Sequence, residues 1–234
     1  SRPGYRCQVT ALGVNTDCYQ PIERERKITR ALLEVLWEFR HPVAIVTKSS
    51  LVERDIDVLS EMAKEQLTSV VVSVTTLDAE LARKLEPRAP APYRRLETIG
   101  RLARAGVPVG VLVAPVIPFL NDRNLEDILK AARDAGATQA GYVLIRLPHE
   151  VSGLFKDWLG RHYPLKAEHI MARIHDMRGG RDYDATYGRR MRGEGQYARL
   201  LERRFALASA REGYATVQQA SLDTGRFRLP AAQQ

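Results

Sequence analysis

Along the chain, short runs of apolar and often β-branched residues end in polar ones and give way to apolar positions at helical spacing. The alternation recurs five times. The runs 7–12, 43–47, 69–74, 107–113 and 139–145 have the length and composition of strands. Between them the spacing predicts helices over 24–39, 52–66, 78–85, about 95–104 and 125–135. The first shows Ile28, Leu32, Val35, Leu36 and Phe39 on one face. His41-Pro42 ends it, and Gly106 and Gly136 cap later ones. Strand, loop and helix at this period predict β/α units with right-handed crossovers in a parallel sheet. Five units are too few to close an eight-stranded barrel, so an open partial barrel or a doubly wound sheet is expected. The fourth run enters APVIPFLND, whose prolines are expected to end it as a central strand near Val113. Beyond Ile145 the pattern is helical, over 149–160, 166–177 and 195–211. Residues 1–147 are therefore expected to form the β/α part and 148–234 a helical extension.

Composition narrows this further. With 44% hydrophobic residues in 234, the chain can bury a substantial core. Its apolar runs are too short to cross a bilayer, and no signal-peptide pattern opens it. Cys7 and Cys18 are its two cysteines, too few for a disulfide framework and wrongly spaced for a metal knuckle. This cysteine usage predicts a cytoplasmic protein, and the short apolar runs predict no membrane partner. Cys7 reads as a small core residue. The net charge is +8, and from Arg178 to Arg204 arginines outnumber acids. That suits nucleic acid or another polyanion, and equally a solvated Arg-rich helical surface. The start, SRPGYRC, reads as the interior of a longer sequence, so an N-terminal segment is expected to be missing.

Chemistry collects at the strand ends, which a parallel sheet gathers on one edge. The stretch GVNTDCYQPIE, residues 13–23, is crowded with groups able to grip a small polar ligand, above all Asn15, Thr16 and Asp17. The same residues are ordinary turn and cap formers. Lys48 follows the second strand directly, where it can bind a carboxylate or phosphate, act as a Schiff-base amine, or snorkel at the strand end. Ser73 lies in the apolar run VVVSV and needs a partner, either backbone or ligand. Arg146 ends the fifth strand. His149 is the histidine nearest that edge and also fits a helix start. No GxGxxG, P-loop or HExxH is present.

Taken together, TDCYQPIE, IVTKS, VVSVTTLD, LEPRAPAPYRRLETIGRLARAGVPVGVLVAPVIPFLND and GYVLIRLPHEV resemble the radical SAM (S-adenosylmethionine) superfamily. They are most similar to its photolyase-like branch, relatives of spore photoproduct lyase. The tail MRGGRDYDATYGRRMRGEGQYARLL extends the resemblance, which covers Tyr5 to about Ala208. It implies a partial six-stranded (β/α) barrel of which five strands are present. It also implies a [4Fe-4S] cluster held by a C-x-x-x-C-x-x-C loop, SAM bound at the cluster's open iron, an electron donor, and a 5′-deoxyadenosyl radical used in a lyase or repair-type reaction on nucleic acid. By position, Asn15, Thr16 and Asp17 would meet the SAM amino group, Lys48 would meet SAM, and Ser73 its ribose or carboxylate. Ala114, Pro115, Tyr142, Arg146 and His149 would border adenine or substrate. The three-cysteine motif is absent, so the cluster ligands and the first strand are expected upstream of Ser1, and the chain alone is expected to be inactive. Two other functions remain open: a Schiff-base aldolase-like barrel using Lys48, and a non-catalytic nucleic-acid-binding module using 178–204.

Overall fold

The computed structural model describes residues 4–186, 189–215 and 221–229. Residues 187–188 of the Arg-rich segment, and 216–220 and 230–234 of the expected helical extension, lie outside the described residues. The strands are β1 (Thr10–Leu12), β2 (Val43–Thr47), β3 (Thr68–Ser73), β4 (Val109–Val116) and β5 (Gln139–Leu144). They form one sheet in the order β1-β2-β3-β4-β5, every pair parallel. Sequential parallel neighbours with helical crossovers make a curling, unclosed β/α sheet, the partial barrel expected from the period.

The two faces of the sheet differ. Register places Ile45, Val70 and Val109 in one row and Thr47, Val72 and Val111 in the next. These residues are buried beneath helices in the main core. Ala44, Val46, Val71, Leu112 and Val143 alternate with them and remain half-buried. Parallel strands are usually covered on both faces; here one face is left as an apolar trough open to solvent.

The first expected helix is two. α1 (Glu23–Arg26) stops at Lys27, whose φ of 52° is left-handed, and α2 (Ile28–Glu38) restarts at once. The break lets the buried Glu23 carboxylate accept from Thr29 N at 3.0 Å, in the first turn of α2. A 3₁₀ turn, Ser50–Asp55, precedes α3 (Ile56–Lys64). Asp78 caps α4 (Ala79–Leu85) by accepting from Glu80 N and Leu81 N. α5 (Pro92–Arg104) begins with proline at its first position, ahead of the start expected near residue 95.

β4 corrects the expectation at the prolines. It runs on to Val116 between β3 and β5, with a register shift between Val113 and Val116 and a cis Ala114–Pro115 bond. Pairing with β3 has ended by then, and the irregularity on the β5 side spares Pro115 a ladder hydrogen bond it could not donate. Asn121, almost fully buried, pins this stretch. Its side-chain amide donates to Thr75 O and Pro115 O, and its side-chain oxygen accepts from Ile117 N.

After α6 (Leu125–Asp134), the helices α7 (Val151–His162), α8 (Ala167–Asp176), α9 (Arg189–Arg192) and α10 (Gly195–Arg211) complete the described chain. α7 and α8 share a second core with Ile117, Leu120, Ile145 and Leu147, just past β4 and β5. Ala198, Leu201 and Ala208 of α10 join the main core. No helix among the described residues is long and apolar enough to cross a membrane.

Candidate active site at the carboxyl edge of the sheet

The loop after β1 passes so close to β2 that a Cβ on Gly13 would sit 1.9 Å from Val46 O, and its φ is +82°. Only glycine fits both demands. Four residues on, the Asp17 carboxylate accepts from Tyr19 N at 2.9 Å, Thr47 Oγ1 at 2.7 Å and Lys48 N at 2.9 Å. It ties the loop to the end of β2. Asn15 and Thr16 are exposed at the loop tip. Tyr19 is buried and donates its hydroxyl to the fully buried Asp55 at 3.0 Å.

Lys48 Nζ meets Glu86 Oε1 at 2.5 Å. Glu86 Oε2 accepts from Arg95 Nη2 at 2.7 Å and from Thr75 Oγ1 at 2.9 Å. Arg95, 2% exposed, also donates to Ser73 O and Pro90 O. One carboxylate thus joins the ends of β2 and β3 to the first turn of α5. Burial alone would raise the Glu86 pKa; Arg95 and Lys48 outweigh it and hold the carboxyl below its ordinary value. Ser73 donates to Ala114 O at 3.1 Å, so its hydroxyl is satisfied by the backbone of β4.

Beside Lys48, between the 17–21 loop and residues 87–90, lies a cavity of about 540 Å³. Arg24 and Arg88 line it with Lys48, Ser49 and Ser50. Neither of these exposed arginines pairs with a carboxylate among the described residues. The arrangement is an anion-accepting wall at the carboxyl edge, next to the apolar trough.

Asp17, Lys48 and Ser73 therefore share one edge, with Asn15 and Thr16 above them. Of the residues near β5, Arg146 and His149 follow its carboxyl end on this same edge, and Tyr142 lies within the strand. Register pairs Tyr142 with Val113 on the helix-covered face, where its ring packs 4.8 Å from Phe205 of α10. Its buried hydroxyl has no hydrogen-bond partner among the described residues. Arg146 reaches Tyr183 Oη at 3.3 Å in the Arg-rich segment. His149 is exposed with φ at 49°, a turn position before α7. Much of 178–204 serves structure. Buried Arg178 donates to Ile145 O and Arg189 O, and Arg204 grips Glu126 with two nitrogens.

Glu86 and Arg95 were not singled out by sequence reasoning. A signal exists for Arg95: it occupies the apolar stripe of α5 with Pro92, Ile99 and Leu102, and a charge there needs a buried partner. Nothing local marks Glu86 as that partner.

The sequence profile of the Radical SAM superfamily matches residues 2–132. The chain belongs to the radical SAM superfamily. Rv2578c of Mycobacterium tuberculosis, itself uncharacterized, is 36% identical over 165 residues, covering 70% of this chain and 48% of that protein. The uncharacterized MJ0683 of Methanocaldococcus jannaschii is 28% identical over 155 residues, 66% of this chain and 56% of that one. The chain thus spans about half the length of these relatives. Among solved structures, spore photoproduct lyase complexed with dinucleoside spore photoproduct superposes with a TM-score of 0.61 at 16% identity, covering 91% of this chain and 61% of that one. A mutant of that lyase with bound AdoMet and dinucleoside spore photoproduct gives 0.56 at 15%, covering 90% and 61%. These likenesses show a shared fold.

The superfamily's iron–sulfur cluster does not fit the residues present. Such clusters are held by thiolates. The chain has two cysteines where the motif needs three, and burial pushes the Cys18 thiol up to about 12, with Asp17 adding to it, so it is not poised as a thiolate. Cys7 is likewise raised by burial. Among the described residues, no group of three His, Cys, Asp or Glu side chains could hold a metal ion. SAM fares differently: the cationic wall at Lys48 suits its carboxylate, and the adjoining trough suits an apolar or aromatic moiety.

Proposed function

We propose that this chain is the SAM-binding part of a radical SAM enzyme whose reaction is of the lyase or repair type on nucleic acid. The observation that carries the reading is the convergence of Asp17, Lys48 and Ser73 on one sheet edge in a chain of this superfamily. Lys48 takes the SAM carboxylate, exchanging part of its ion pair with Glu86 for the ligand. Glu86, held by Arg95, keeps the lysine aimed while the site is empty. Asp17 acts through the backbone: it fixes the loop so that Asn15 and Thr16 can meet the amino group. Ser73, whose proton goes to Ala114 O, still has lone pairs to accept from a ribose hydroxyl. Held by these residues, SAM would supply a 5′-deoxyadenosyl radical on taking up one electron, with methionine leaving. The residues of this chain do not hold the cluster, so the chain by itself is expected to bind SAM and release no 5′-deoxyadenosine. The absence of a disulfide framework supports a cytoplasmic location.

A Schiff-base role for Lys48 is less well supported. Such lysines are activated by an apolar pocket or a neighbouring cation, and this one meets a carboxylate.

The test is SAM binding by calorimetry. Replacing Lys48 by Ala removes one charged contact, and SAM affinity should fall by about 10- to 150-fold, the ~1.5–3 kcal/mol typical of hydrogen bonds to charged groups. Equal affinity in parent and K48A, or no binding by either, overturns the proposal.

A further inference from the structure

A second cleft, of about 510 Å³, opens between the β4–α6 loop and the helical extension. Its floor is Phe119, an aromatic residue held at φ +60°, where bulky side chains seldom sit. The turn is maintained by Asn121, whose buried amide anchors it to the strand ends. The ring so presented stacks on the exposed His169 of α8, with centroids 4.2 Å apart and planes 29° from parallel. Tyr197 of α10 stands 5.7 Å from Phe119, and the Arg173 guanidinium faces both rings.

The charges around this stack are unevenly matched. Asp122 accepts from the Tyr197 hydroxyl, Glu126 is held by Arg204, and Asp176 is 3.0 Å from Arg173. Asp122, the carboxylate lining the cleft, is thus engaged. Arg123 and Lys166, which line the same cleft, are exposed and have no carboxylate partner among the described residues. One imidazole face stacks on Phe119, and the residue is exposed, so the ring is accessible to a base that would extend the stack. An aromatic stack flanked by unneutralised cations is the chemistry that recognises single-stranded nucleic acid, base face on ring and phosphate on cation. A duplex hides its base faces and does not suit it. The β4–α6 loop leaves the sheet at the edge that carries Lys48 and Ser73, so a strand in the cleft starts beside the candidate active site.

We infer that the Phe119–His169 cleft is a subsite for single-stranded nucleic acid, one base stacking on His169 with phosphates at Arg123 and Lys166. It rests on the proposed function only in treating that strand as substrate. The test is fluorescence anisotropy with a labelled single-stranded oligonucleotide and the same sequence as duplex, using the whole chain without SAM. Single strand should bind more tightly than duplex. H169A, a change at an exposed position, should weaken it about tenfold, the size of one lost base stack. The pair R123Q/K166Q should lower the slope of log affinity against log salt by about 1.4, as two lost phosphate contacts require. R199Q/R203Q, on α10 outside the cleft, should change affinity less than H169A. Overturning results are no binding, equal binding of duplex, or full affinity in H169A with loss in R199Q/R203Q. SAM binding is measured separately on the same protein. A chain that binds SAM but no single strand loses this inference alone; one that binds the strand but not SAM loses only the proposed function.

Discussion

Replacing Glu86 by Gln isolates the charge that organises the strand ends while keeping the side chain's shape. Arg95 is 2% exposed and the Glu86 side chain 10%, so the variant leaves a guanidinium charge in the interior. Removing one partner of a buried pair costs about 3–5 kcal/mol. Two features reduce this. Arg95 keeps its bonds to Ser73 O and Pro90 O, and the Gln carbonyl can still accept one. Lys48, 41% exposed, rehydrates and adds less than ~1 kcal/mol. The expected loss is about 2–3 kcal/mol at neutral pH, or roughly 5–10 °C in melting temperature for a chain of this size. The dependence on pH has a definite sign. The folded pKa of Glu86 lies below its ordinary value. Its contribution is therefore full above the unfolded value of about 4.3 and is lost as pH falls through the folded one. The gap between parent and E86Q should narrow as pH falls below the unfolded value of about 4.3 and close below the folded one. Urea titrations followed by far-UV circular dichroism at several pH values measure it. Equal midpoints at pH 7, or a gap unchanged down to pH 3, would refute the account of Glu86 as a charged hub.

Three further outcomes follow from other contacts. D17A removes an acceptor that joins Tyr19 N, Thr47 Oγ1 and Lys48 N. It should cost about 2 kcal/mol and speed tryptic cleavage at Arg24, read by mass spectrometry. L201A hollows the fully buried contact of α10 with the core, and a loss of about 2–5 kcal/mol in urea unfolding is expected. The Asp182 carboxyl, bonded by Lys156, Ser152 and His175, is held well below the usual carboxylate range. Its hold on the 178–186 segment should persist above the unfolded value of about 3.9 and fade as pH falls through the folded one. Faster amide exchange in that segment is expected in D182N near neutral pH, with little difference in strong acid.

The period of the apolar runs was enough to read a parallel β/α sheet, because a strand and its return helix impose that spacing on any chain that builds them. It did not reveal the split at Lys27. There the capping of α2 by Glu23 outweighs helix continuity, and that bond joins residues on opposite sides of the break. Nor did it reveal that β4 passes through Pro115, since the register shift that tolerates proline belongs to a strand pair.

The candidate site divides in the same way. Polar residues at the ends of apolar runs marked Asp17, Lys48 and Ser73, and parallel topology required them to share an edge. Tyr142 shows the limit of reasoning by position: one step along β5 selects the face, and register with β4 turned its ring toward α10. The sequence by itself determined the fold class, the edge on which polar groups collect, and the resemblance to a superfamily, all properties of local pattern and order. Only the tertiary structure decided that Glu86 joins Lys48 to Arg95, that Phe119 stacks on His169, and that Arg178 and Arg204 are bound internally. Those pairings join residues far apart in the chain, and burial and charge select them only once the backbone has brought them within reach.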